Sequence, residues 1–98
     1  MGIRRTTEQT ASISTSVVSV SINEDADFIE IYNKGANTAY FRTDGTAPTA
    51  GAAGNADEVR TGVSGMRVVP VPGITTVKFI CDTAESAELV IREIYTDE

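Results

Sequence analysis

Val18-Ser19-Val20-Ser21-Ile22 alternates apolar and hydroxyl side chains without interruption. In an extended chain successive side chains point to opposite faces. Val18, Val20 and Ile22 therefore share one side, and Ser19 and Ser21 the other. A helix would scatter the same residues around its circumference. The run reads as a half-buried strand. Asn23-Glu24-Asp25-Ala26-Asp27 follows with turn chemistry and ends it.

The same grammar extends along the chain. Phe28-Ile29-Glu30-Ile31-Tyr32 sets Ile29 and Ile31 against Phe28, Glu30 and Tyr32, and residues 33–37 turn the chain. Within that turn Gly35 can take a positive φ at no steric cost. Residues 38–43 form a third strand. Residues 44–65 then read as one long Gly/Ala-rich loop, with five of the eight glycines and only Val59 and Val63 able to pack. Met66-Arg67-Val68-Val69-Pro70-Val71 resumes regular structure, and Pro70 marks an edge position or a strand end. After the Pro72-Gly73 turn, residues 74–81 place Val77, Phe79 and Cys81 on one face, and residues 87–95 close the pattern.

No window has a helical face. Six strands at this spacing predict an all-β fold, a small antiparallel β-sandwich or jelly-roll-like barrel. Residues 1–11 are polar and aperiodic and read as a flexible, disordered N-terminal arm, with residues 12–98 as a single β-sandwich domain. The predicted core is Val18, Val20, Ile22, Ile29, Ile31, Phe41, Val68, Val77, Phe79, Leu89 and Ile91.

Composition narrows function. The 98 residues include no histidine, no tryptophan and one cysteine. The side chain best suited to moving protons near neutral pH is missing, and the hydroxyls of residues 12–21 have no base beside them. No catalytic residue and no cofactor are expected. Without histidine, and with only Cys81, the usual zinc ligand set cannot be built. Glu24, Asp25 and Asp27, and Asp82, Glu85 and Glu88, share turns but match no calcium loop, so no metal is expected either. Cys81 reads as a small buried hydrophobe.

A net charge of -6, from 14 acidic and 8 basic residues, argues against nucleic acid and anionic membranes as partners. No apolar run approaches the ~20 residues that span a bilayer. The N-terminal residues carry Arg4 and Arg5 with no apolar segment behind them, so no secretory signal is expected. A core this thin favours association, and a homo-oligomer is expected.

Five elements, in order, carry a resemblance: Ile31-Tyr32-Asn33-Lys34-Gly35, Ala39-Tyr40-Phe41-Arg42, Gly45-Thr46-Ala47-Pro48-Thr49, Pro72-Gly73-Ile74-Thr75 and Ala87-Glu88-Leu89-Val90-Ile91. Over residues 17–94 the chain resembles small virion accessory proteins of tailed bacteriophages, above all head decoration (cement) proteins. The resemblance implies a β-sandwich, frequently trimeric, that binds the major capsid protein or another virion protein and has no catalytic residues. It places the protein on the capsid surface, and in the host cytoplasm during assembly. On this reading Arg4 and Arg5 in the arm, and Asp57, Glu58 and Arg60 in the long loop, are the candidate capsid contacts. Tyr32 and Tyr40 are the candidate subunit contacts. The alternatives are a tail, baseplate or head-to-tail joining component, or a small carbohydrate- or receptor-binding β module.

Overall fold

Nine strands make up the described regular structure. They are β1 (Gly2–Arg5), β2 (Gln9–Ile13), β3 (Val18–Ser21), β4 (Phe28–Asn33), β5 (Ala39–Arg42), β6 (Asp57–Val59), β7 (Met66–Pro70), β8 (Thr76–Ile80) and β9 (Ala87–Asp97). The computed structural model describes the backbone of residues 2–5 and 97 and the whole of residues 8–49, 56–61, 65–82 and 84–96.

Every pairing is antiparallel. Sheet one runs β1-β9-β4-β7 with β2 also on β9, and sheet two runs β3-β8-β5-β6. Ile94 pairs with both Phe28 and Arg5, and Ile91 with both Ile31 and Gln9. β1 and β2 therefore lie end to end along the side of β9 that β4 leaves open. The orders 2-9-4-7 and 3-8-5-6, with a change of sheet at every connection from β2 onward except β5 to β6, form a jelly roll.

The core lies between the sheets and comes from alternate strand positions. Ile29 and Ile31 of β4, and Leu89 and Ile91 of β9, face Phe41 of β5 and Val77 and Phe79 of β8, all essentially inaccessible to water. Phe41 and Phe79 are cross-strand partners whose rings tilt at 38° with centroids 5.9 Å apart. Val20, Ile22 and Cys81 are buried, and Val18 packs half-buried against the cluster.

The predicted core errs at one residue. Val68 is 54% exposed, while Val69 and Val71 are buried. Three valines across two faces leave the register of this strand undecided by alternation alone, and a slip of one residue inverts every side chain. The strand opposes Ile29 to Val69 and Ile31 to Arg67.

Two segments are more regular than expected. Residues 1–11 read as a disordered arm, yet where described they form β1 and most of β2, paired along β9 from Gly2↔Asp97 to Ile13↔Ala87. Their order comes from backbone hydrogen bonds to β9, which need no side-chain pattern. The pairing register shifts by one residue between β1 and β2, which breaks what would be one long strand. The loop 44–65 contains β6, which pairs with β5 and buries Val59 completely. Residues 50–55 and 62–64 of that loop, Val63 among them, lie outside the described residues.

Candidate functional site

Reactive chemistry does not converge anywhere among the described residues. Cys81 is 1% exposed and its Sγ lies 3.9 Å from the Ile13 carbonyl. Burial, reinforced by Glu85 and Asp82, pushes this thiol above its ordinary value, which disfavours the reactive thiolate. The described Cys, Asp and Glu side chains form no group able to hold a metal ion.

Among the described residues, the two buried polar or charged side chains, Glu30 and Asn33, both have partners within the chain. Asn33, at the end of β4, donates from Nδ2 to the Asn37 carbonyl (2.9 Å) and the Val59 carbonyl (3.0 Å), and accepts from the Gly35 amide at Oδ1 (2.9 Å). Glu30 accepts from Arg92 Nη1 at 3.1 Å, and Arg92 also pairs with Glu8. The Glu30 and Glu8 carboxylates hold the Arg92 guanidinium even more firmly protonated than usual.

The distinctive surface is the outer face of sheet one at the β7 edge. Phe28, Glu30 and Tyr32 of β4 pair with Pro70, Val68 and Met66 of β7, so these six share one face. Met66 is 55%, Val68 54% and Tyr32 44% exposed. They are three of the four large exposed hydrophobics among the described residues, and Val17 is the fourth. Val90, Arg92 and Ile94 continue the face on β9. Exposed apolar side chains grouped on one face of a sheet form a candidate contact surface.

Among the described strands, none pairs with the other side of β7. Val71 N donates to Asp27 O, and Asn33 N donates to Gly65 O, across directly opposed residues. Alternation of the antiparallel ladder then turns the amide and carbonyl groups of Arg67 and Val69 toward β4. Those of Met66 and Val68 turn outward. Pro70 also points outward, where its missing N–H costs the ladder nothing, in keeping with the edge position expected of it.

On the inner side of this edge, Arg67 bridges the sheets. Its Nη1 donates to the Glu58 carbonyl at 2.7 Å, and its guanidinium lies 5.6 Å from the centre of the Phe41 ring. Glu58, whose Oε1 accepts from Arg60 Nε at 2.9 Å, and Asp57 line the adjacent open groove with Arg60 and Arg67.

The seven residues singled out from sequence divide into separate places. Asp57, Glu58 and Arg60 meet at the β6–β7 side, and Tyr32 lies on the outer face of the same side. Arg4 and Arg5 sit at register positions opposite Tyr95 and Ile94, on the far edge of sheet one, with side chains outside the described residues. Three strand spacings, about 14 Å, separate that edge from β7. Tyr40 departs from its expected exposure. It is 8% exposed, and its hydroxyl donates to Asp82 Oδ2 at 3.3 Å. Burial, then the Asp82 charge, pushes its phenol above the ordinary value. Sequence reasoning missed Met66, Val68 and Arg67, although Pro70 signalled the edge they occupy.

No family model and no curated protein matches the chain. Among solved structures it is similar to a chain from a study of Bacillus endospore appendages, which the study describes as a novel family of disulfide-linked pili. The TM-score is 0.51 at 20% identity, over 98% of this chain and 89% of that one. The likeness is one of fold.

Proposed function

We propose that this chain is a non-enzymatic structural subunit that docks onto a larger protein assembly. The observation that carries the reading is the exposed stripe of Tyr32, Met66 and Val68 beside a strand edge that no described strand covers. Of such assemblies, the tailed-phage head is the one its sequence elements resemble, and decoration of the capsid lattice is the specific role we assign. A protein that binds only the mature shell lowers the free energy of that state by its binding energy. Repetition over a lattice makes a modest affinity at each site sufficient.

The test is co-sedimentation of purified protein with undecorated, expanded heads of the phage or prophage whose genome encodes it. Saturation at a stoichiometry that tracks the capsid lattice supports decoration. A few copies per particle, confined to the tail, would move the role to a joining or baseplate component. Absence of binding to intact virions would remove the phage reading.

The fold likeness to a pilus subunit favours a second reading, a subunit of a surface filament. Here the single cysteine is buried, so the folded chain offers no accessible thiol for disulfide linkage. Such a filament would be held by non-covalent contacts. Negative-stain microscopy of concentrated protein separates this reading from decoration, since it requires open-ended fibres from the pure chain.

A further inference from the structure

Resting on the reading of the β7 face as a docking surface, we propose that its occupant is a second copy of this chain. β7 pairs antiparallel with β7 of the other copy about a two-fold axis at Arg67, joining the two five-stranded sheets into one.

Three observations lead to that occupant. The first is the contrast between edges. β6 is a three-residue strand beginning Asp57-Glu58, β3 is a four-residue strand carrying Ser19 and Ser21, and the β1–β2 edge is interrupted by its register shift. Short, polar, charged or broken edges are the devices by which sheets avoid pairing. β7 presents outward amide and carbonyl groups at Met66 and Val68 with large apolar side chains on the same residues, and only Pro70 limits it.

The second is self-complementarity. With the axis at Arg67, Met66 faces Val68 of the partner subunit and Val68 faces Met66 of the partner subunit. Both are positions whose N–H and C=O point outward, so each pair exchanges reciprocal hydrogen bonds. An axis at Val68 would instead oppose Met66 to Pro70 of the partner subunit, whose carbonyl accepts the Met66 N–H but which has no N–H to return, so that pair is not reciprocal. The two arginines at the axis are already engaged within their own copies, by the Phe41 ring and the Glu58 carbonyl.

The third is charge. The chain carries a net charge of -6, so two copies repel over most of their surfaces. Along this edge Asp57 and Glu58 are balanced by Arg60 and Arg67, and the outer stripe of Tyr32, Met66 and Val68 is uncharged. Apart from the two Arg67 residues that meet at the axis, it is a stretch where like copies approach with little of that penalty.

Size sets the strength. A five-residue strand is about 17 Å long, and a two-sheet side with its outer side chains is about 20 Å deep, so the seam covers on the order of 350 Å² per copy. That is below the ~800 Å² per partner of stable complexes and predicts weak association, with a Kd on the order of 100 μM.

Sedimentation velocity over a concentration series spanning that Kd tests the proposal on the full chain. Wild type should show a reversible monomer–dimer equilibrium. Val68→Lys, which charges the stripe, and Val68→Pro, which deletes one outward N–H and keeps an apolar side chain, should each raise Kd by more than about tenfold. Val17→Lys, the same change at an exposed valine outside the edge, should leave Kd unchanged. Urea denaturation verifies that each variant is folded, and Val68→Lys decides alone if the proline variant is not. A monomeric wild type at the highest concentrations, a trimer, open-ended growth, or a dimer indifferent to Val68→Lys would each overturn the two-fold β7 seam. The structural-subunit reading depends on binding to heads and stands or falls separately.

Discussion

Replacing Asn33 with alanine should be among the most damaging single changes outside the apolar core. The residue is 3% exposed and makes three hydrogen bonds: two within the turn after β4, to the Asn37 carbonyl and from the Gly35 amide, and one to β6 through the Val59 carbonyl. Alanine removes all of these hydrogen bonds and leaves their partners behind. A typical bond contributes about 1 kcal/mol net, and a buried group left unpaired costs about 1–3 kcal/mol, so the expected loss is about 3–5 kcal/mol. Against a domain stability of roughly 5–15 kcal/mol that is a large fraction. Urea denaturation should show a midpoint lowered by about 2–3 M with an unchanged slope, for a slope near 1.5 kcal/mol/M.

Asn33→Asp sharpens the test. The carboxylate keeps the acceptor for Gly35 but sets an oxygen against two carbonyl oxygens where Nδ2 donated. At neutral pH it should be at least as destabilising as alanine. The folded-state pKa of that new carboxyl must lie above its unfolded value, because only the protonated form can donate. The variant is therefore most stable below the unfolded pKa of about 4, and loses stability as pH rises through the folded value. A cost for Asn33→Ala below about 1 kcal/mol, or an aspartate variant milder than alanine at pH 7, would refute the reasoning.

Phe79→Ala, which empties a fully buried site against Phe41, should cost about 3–5 kcal/mol by the same denaturation assay. Gly35→Ala should cost about 1–3 kcal/mol, because the added Cβ would sit 2.7 Å from the Glu88 amide nitrogen and 2.8 Å from the Ala87 Cα, backbone atoms that cannot step aside. Asp27 accepts from the Thr96 amide at 2.8 Å and its hydroxyl at 2.9 Å, which lowers its carboxyl below the ordinary range. Its contribution is present above an unfolded pKa of about 3.9 and is lost as pH falls through the lower folded value. Asp27→Asn should flatten the acid limb of a stability–pH profile measured by thermal melts.

Where one face of a strand is apolar and the other polar, the sequence shows the strand and its orientation together. The runs at 18–22 and 28–32 are of this kind, and so are the buried positions Val77, Phe79, Leu89 and Ile91. Pro70 likewise declares the edge. What stays hidden is order imposed by neighbours. β1 and β2 hold their conformation through the ladder on β9, and only Ile13 among their described side chains is fully buried. β6 is three residues long, too short for any period. The candidate site is harder still. Val68 looks like core until the pairing of Ile29 with Val69 puts it outside, and Arg67 reads as solvated until β6 is beside it. The Asn33-Lys34-Gly35 turn was visible as a motif, but its role as the clasp between β4, β6 and β9 depends on contacts distant in sequence.

The eleven residues of β9 touch β1, β2 and β4, so sheet one is threaded on the last strand to enter it. Residue 2 waits for residue 97, and β4 waits for the same partner. During synthesis those earlier strands have no ladder on that side until β9 emerges, which makes closure a late and non-local event and the whole fold slow to form. The dependence also runs in reverse. Amides along β9 cannot open by local fraying without releasing three other strands, so their exchange with solvent reports unfolding of the entire sheet.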